Sequence, residues 1–175
     1  MLTIIILAVF SALMLWAAYS DLTSFTLSNR LCLITALLYP AYLVSRTVSG
    51  HGLPLQDILI SLAIATVILM VCIAFFALNV MGGGDVKLIP AVALWAGPDH
   101  ILQYLFITSV LGGIIALIII VRNRIKTSKY YKSSGNINLS MAEKETSAVP
   151  YGVGIAIGGL YVAYQLFTTL NPAII

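Results

Sequence analysis

The sequence predicts an all-α, polytopic membrane protein with six transmembrane helices, the fourth short or kinked. Three observations predict it. Of 175 residues, 61% are hydrophobic and 9% are charged, whereas a soluble domain carries roughly 25% charged residues. The apolar residues fall into runs near the ~20 that a helix needs to cross a bilayer core. Five of the nine Lys and Arg residues sit together, at Arg122, Arg124, Lys126, Lys129 and Lys132, as in a loop held on one side of a membrane. Little chain is left outside the apolar runs, so one integral-membrane domain over residues 1–175 is expected.

The elements follow in order. Residues 2–19 form the first span. They lack the basic segment that opens a signal peptide, so an uncleaved span is expected. Residues 29–48 form the second, with a bend expected at Pro40. Residues 55–79 form the third and most apolar. Residues 87–96 are short for a crossing and are interrupted by Pro90, which predicts a tilted, kinked or incomplete span. Residues 101–121 form the fifth span and residues 150–169 the sixth. Between these two, residues 123–147 are polar, with Ser, Asn, Lys and one Gly, and read as a flexible cytoplasmic loop. Gly112-Gly113 and Gly158-Gly159 suit close helix packing.

Basic loops stay in the cytoplasm. The cluster at 122–132 therefore places the fifth-to-sixth loop inside, and counting back puts both termini outside. Arg30 and Lys87 agree with this orientation; Arg46 does not. The cluster reads as a solvated topology signal, with binding to anionic lipid heads as the alternative. Cys32 and Cys72 lie in apolar runs with no Cys-x-x-Cys pair, which excludes a zinc ribbon and suits small packing residues. His51 and His100 have no helical His or Glu partner. No metal, cofactor or nucleic-acid partner is expected.

Two acids stand out. Asp85 follows three glycines in Gly82-Gly83-Gly84-Asp85-Val86-Lys87, at the end of the third apolar run, and Asp21 closes the first. A carboxylate beside hydrocarbon is costly and rarely kept without a role. Glycines beside it let another backbone come close. Two full spans separate the acids, so they share a side, the cytoplasmic one in this reading. Two carboxylates in contact share a proton. That suits peptide hydrolysis, in which one takes a proton from water while the other polarises the carbonyl. The plainer alternative has Asp85 as the N-cap of the fourth helix and Asp21 as loop polarity. Lys87 is open between substrate contact and snorkelling to the interface. Asn29 is open between orienting Asp21 and capping the second helix.

Three blocks carry a family resemblance. Gly82-Gly83-Gly84-Asp85-Val86-Lys87 fits the Gly-x-Gly-Asp-x-Lys pattern of type IV prepilin peptidases, which are Gly-x-Gly-Asp intramembrane aspartic proteases. The run from Asp21 to Asn29 resembles that family's first block, with Leu27-Ser28 where Ile-Pro is usual. Val149-Pro150-Tyr151-Gly152-Val153-Gly154 resembles the Pro-Phe/Tyr-Gly segment that opens the last helix. The match covers nearly the whole chain, in order.

The resemblance implies that Asp21 and Asp85 are the catalytic pair of an aspartic endopeptidase. It would cut the basic leader of prepilin-like single-span substrates at the cytoplasmic face of the bacterial inner membrane. Gly82, Gly84, Lys87, Asn29, Pro150, Tyr151 and Gly152 are the supporting or substrate-binding candidates. The chain lacks the cytoplasmic insert with two Cys-x-x-Cys pairs found in larger members. It looks like the short form that serves Flp-type, tight-adherence pili, with peptidase activity and without methyl transfer. The expected partners are prepilin-like substrates and the lipid bilayer; self-association stays open. The rival is a non-catalytic transporter or pilus-assembly subunit whose acids bind a cation or cap helices. A presenilin-like protease cutting within a span shares the Gly-x-Gly-Asp pattern. The position of Asp21 just past a span, together with Lys87, favours the prepilin class.

Overall fold

The computed structural model describes residues 1–24, 26–133 and 151–170. Among these the protein is entirely helical: α1 (Leu2–Ser24), α2 (Asn29–Val48), α3 (Leu55–Ala77), α4 (Asp85–Ser133) and α5 (Tyr151–Leu170). All five are long and apolar enough to cross a membrane, α4 over Asp85–Ile119. Six spanning helices were expected; five helices long and apolar enough to span are found, and α4 is itself broken by a kink. The expected fourth and fifth spans, 87–96 and 101–121, are two arms of α4. They are joined at Gly97, whose backbone leaves the helical region at φ 57° and ψ −169°.

The break at Gly97 reverses the chain. The Tyr104 hydroxyl donates to the Ile89 carbonyl at 3.2 Å, across 15 residues of sequence. In a straight helix those positions would lie about 22 Å apart. The return arm therefore folds back along the outgoing one. The outgoing arm, residues 85–96, spans about 18 Å, well short of a bilayer core of about 30 Å. The expected kink at Pro90 is displaced to Gly97 for a conformational reason. Proline fixes φ near −65°, which a helix accepts; φ and ψ at Gly97 are nearly glycine-only. Likewise α2 continues through Pro40.

α4 also runs further than expected. Residues 123–133, read above as the start of a loop, continue the helix to Ser133. No Gly or Pro lies between Val121 and Ser133, and Arg and Lys are good helix formers. Residues 134–150 lie outside the described residues.

α4 is the centre of the bundle. It packs against α2, α3 and α5, while α1 packs against α2 and α5. Lipid tails are as apolar as Leu, so helices in a bilayer associate through close packing and specific contacts. Both are visible. On one side of the outgoing arm, Trp95 stacks on Phe10 of α1 with ring centroids 4.3 Å apart. It meets Tyr39 edge-on at 5.6 Å and Tyr42 at 5.3 Å. Its indole N–H donates to the Thr35 carbonyl at 3.0 Å. Such aromatic pairs contribute about 0.5–1.5 kcal/mol each beyond burial. On the other side, glycines admit α5. A Cβ at Gly159 would stand 2.6 Å from the Met14 sulfur, and one at Gly154 would stand 2.9 Å from the Gly112 nitrogen. Gly158 lies against Thr108 and Tyr104.

Arg46, the residue at odds with the loop-charge rule, is held locally. Its Nη1 donates to the Tyr42 hydroxyl at 3.2 Å and its Nε donates to the His51 carbonyl at 2.9 Å. At the same end, Thr3 and Ser45 share a 2.7 Å hydrogen bond that ties the start of α1 to the end of α2.

The bend supplies a direct test. Gly97→Ala imposes a glycine-only conformation on a side chain and brings its Cβ to 3.1 Å from Ser61 Oγ. We expect a loss of about 1–3 kcal/mol, read from denaturant unfolding in micelles. Pro90→Ala is expected to change stability by less, since α4 does not bend there.

Candidate active site

The fold-back at Gly97 brings four chain segments to one end of the bundle. The outgoing arm of α4 starts there at Asp85, and the return arm regains it near Gly112. A Cβ at Gly112 would stand 3.3 Å from the Tyr151 ring, so α5 begins at the same level. The neighbouring Gly152 lies against Asp21: a Cβ there would stand 2.8 Å from Asp21 Cγ and Oδ2. The end of α1, the start of α4, the return arm and the start of α5 therefore meet around Asp21 and Asp85.

Burial singles out the same two residues. Asp21 is 5% exposed and Asp85 7%, and among the described residues they are the only buried residues that carry a charge. They lie within each other's electrostatic reach. Asp21 occupies the last turn of α1, on the face buried with Ala17 and Met14. Gly152 and Val153 turn their backbone N–H groups toward its carboxyl. Its Oδ2 is buried and takes no hydrogen bond among the described residues. The free N–H groups of a helix N-terminus are a ready partner for a carboxylate, and only a glycine at 152 lets α5 come this close.

Asp85 is the first residue of α4. Its alternative role as N-cap passes to its neighbour, because the Gly84 carbonyl receives the Leu88 N–H at 3.0 Å. The Asp85 side chain is thereby left to the interior. Gly82 lies against that side chain, with an added Cβ 3.1 Å from Oδ2. Gly82 and Gly83 are themselves exposed. Gly84 faces the α1–α2 turn, where a Cβ would stand 2.7 Å from Leu27 Cβ and 3.3 Å from Leu27 N and O.

Both open readings of Lys87 and Asn29 acquire a partner. Lys87 Nζ donates to Asn29 Oδ1 at 2.8 Å. The cap of α2 is Ser28, whose hydroxyl accepts from the Leu31 N–H at 3.3 Å, so Asn29 is free to face α4. Tyr151 is at the border of exposure and sits beside Gly112. Pro150 lies outside the described residues. Sequence reasoning passed over Cys32, read as a packing residue only. Its thiol is directed at the Gly84 carbonyl at 3.7 Å, a contact across 52 residues that no local pattern signals. No group of three or more His, Cys, Asp or Glu that would hold a metal ion occurs among the described residues.

A sequence model of the type IV leader peptidase family matches residues 8–117. The chain belongs to the type IV leader peptidase family. The matched segment contains Asp21, Asp85, Asn29 and Lys87 and ends before α5. The contact of Gly152 with Asp21 thus comes from the tertiary structure, beyond the matched residues. No curated protein and no solved structure matches the chain. Family membership implies peptidase activity, and the apolar helices make it a membrane protein.

The close approach at Gly84 is checked by Gly84→Ala. Its Cβ meets backbone as well as side-chain atoms, so the α1–α2 turn must move. Overpacking of this kind costs about 1–3 kcal/mol. We expect that loss in denaturant unfolding, and a smaller one for Gly83→Ala, whose nearest neighbour is the Phe76 ring at 3.4 Å.

Proposed function

We propose that the protein is a membrane-embedded aspartic endopeptidase that removes the basic leader of type IV, Flp-type prepilins. Asp21 and Asp85 are the paired carboxylates. The observation that carries this reading is that the two buried acids lie at one end of the bundle, Asp21 against Gly152 of α5 and Asp85 at the start of α4. In the proposed reaction one carboxylate is ionised and takes a proton from water. The other is protonated and hydrogen-bonds the scissile carbonyl. The water oxygen adds to that carbon, the C–N bond breaks, and the departing amine receives a proton. Low polarity around the pair strengthens the coupling that makes two neighbouring carboxyls share one proton.

The substrate proposed is a single-span protein with a short basic segment on the cytoplasmic side. The basic residues at 122–132 favour that side for the end of the bundle carrying Asp21 and Asp85. In this reading the active site lies at the cytoplasmic rim of a bacterial inner membrane, where water and the leader both reach it. The exposed Gly82 and Gly83 suit an extended peptide approaching Asp85, since they present backbone without side chains. The chain carries only two isolated cysteines, which suits the short form of the family and peptidase action alone.

The decisive experiment measures cleavage of a prepilin by wild type, Asp21→Asn and Asp85→Asn, each shown to be folded and inserted. Asn keeps the shape and loses the proton chemistry, so each variant should lose about a hundred- to ten-thousand-fold in rate. Normal processing by either would sink the two-carboxylate mechanism. Cleavage by wild type that persists with chelator and without added cations separates this reading from an ion-binding transporter.

A further inference from the structure

Lys87 and Asn29 are 58 residues apart in sequence and 2.8 Å apart in space. Asn29 opens α2, directly after the turn that leaves α1 and Asp21; Lys87 lies two residues after Asp85. Two further contacts join the same two turns, and a local cap supports them. Cys32 Sγ is directed at the Gly84 carbonyl at 3.7 Å. A Cβ on Gly84 would clash with Leu27 at 2.7 Å. Ser28, by capping α2, leaves the Asn29 amide available to Lys87. Both members of the pair are exposed, so neither is needed to fill the core.

We propose that Lys87 and Asn29 form a positioning clamp that sets the separation of Asp21 and Asp85. The proposal rests on the peptidase reading above and deepens it. The physical case is one of leverage. Asp21 hangs from the last turn of α1 and Asp85 from the first turn of α4, and a helix end frays unless it is tied down. The Gly82-Gly83-Gly84 run has no side chain to fix it and would let the start of α4 drift. The Leu27 contact sets how near the turns come; the thiol and the ammonium set their register. The Lys87 ammonium is a compact charge with three donors, of which Asn29 takes one. Lys87 is a positioning residue in this scheme, acting through the backbone of α4 and not through the reacting atoms.

The test uses the full chain in micelles with Lys87→Met, Asn29→Ala, the double variant, and Asn29→Asp, which keeps an acceptor oxygen. Two readouts are taken: kcat and KM on a prepilin, and amide hydrogen exchange over residues 26–32 and 82–88. A clamp predicts that each single variant lowers kcat about tenfold with KM nearly unchanged, as misplaced groups do. The double variant should be no worse than the poorer single, and Asn29→Asp should stay near wild type. Exchange at 26–32 and 82–88 should rise in each single variant and not in Asn29→Asp. The proposal is overturned if the two losses multiply, if Lys87→Met raises KM and leaves kcat alone, or if Asn29→Ala leaves exchange at 82–88 unchanged. Should wild type fail to cleave prepilins, the peptidase reading falls. The exchange pattern then still decides whether the two turns are clamped.

Discussion

A carboxylate at the end of an apolar helix cannot be stabilised by the hydrocarbon around it, and this protein brings two of them to the same place. The reversal of α4 at Gly97 makes that arrangement possible. If α4 ran straight, its far end would leave the bundle at the opposite face, and α5 would begin a bilayer away from Asp21. Because Gly97 adopts φ 57° with ψ −169°, the return arm regains the starting level by Gly112, and Tyr151 and Gly152 begin α5 there. The outgoing arm is too short to cross a bilayer alone, yet with Trp95 packed on Phe10, Tyr39 and Tyr42 it fills the middle of the bundle. Its own helix is thereby the support on which Asp85 stands.

Around the two acids the protein relies on backbone in place of opposite charge. Asp21 faces the N–H groups of Gly152 and Val153. Asp85 lies against Gly82 at the start of its own helix. A salt bridge would fix each acid in its ionised form and remove it from proton exchange. Backbone dipoles stabilise charge more weakly, which suits the proton exchange proposed for the two acids. The nearby cation, Lys87, is engaged by Asn29. The glycines at 82, 84 and 152 thus have one common purpose, close approach, although each meets a different neighbour.

Much of this was legible in the sequence. The membrane class, the helical fold, the short segment after Asp85 and the family were all readable, because hydropathy and the Gly-Gly-Gly-Asp-Val-Lys run are local signals. The misreadings have local causes too. Six spans were expected because 87–96 and 101–121 are separate apolar runs; the structure joins them as two helical arms that fold back at Gly97. Pro90 was expected to carry the kink, because proline is the stronger breaker in general, but the reversal needed a conformation that proline cannot take. A loop was expected from residue 123, but the helix continues to Ser133, because polarity by itself does not end a helix.

The sequence by itself determined that the chain is a helical membrane protein of the leader peptidase family, with two acids on one side of the bilayer. Hydropathy reports where a segment sits in the membrane, and the parity of spans reports on which side its ends emerge. Neither reports which ends touch. That Gly152 meets Asp21, that Cys32 reaches Gly84, and that Lys87 finds Asn29 across 58 residues was decided by the tertiary structure alone. Those contacts depend on the rotation and depth of each helix in the bundle. Packing against its neighbours sets both, and nothing in a helix's own sequence does.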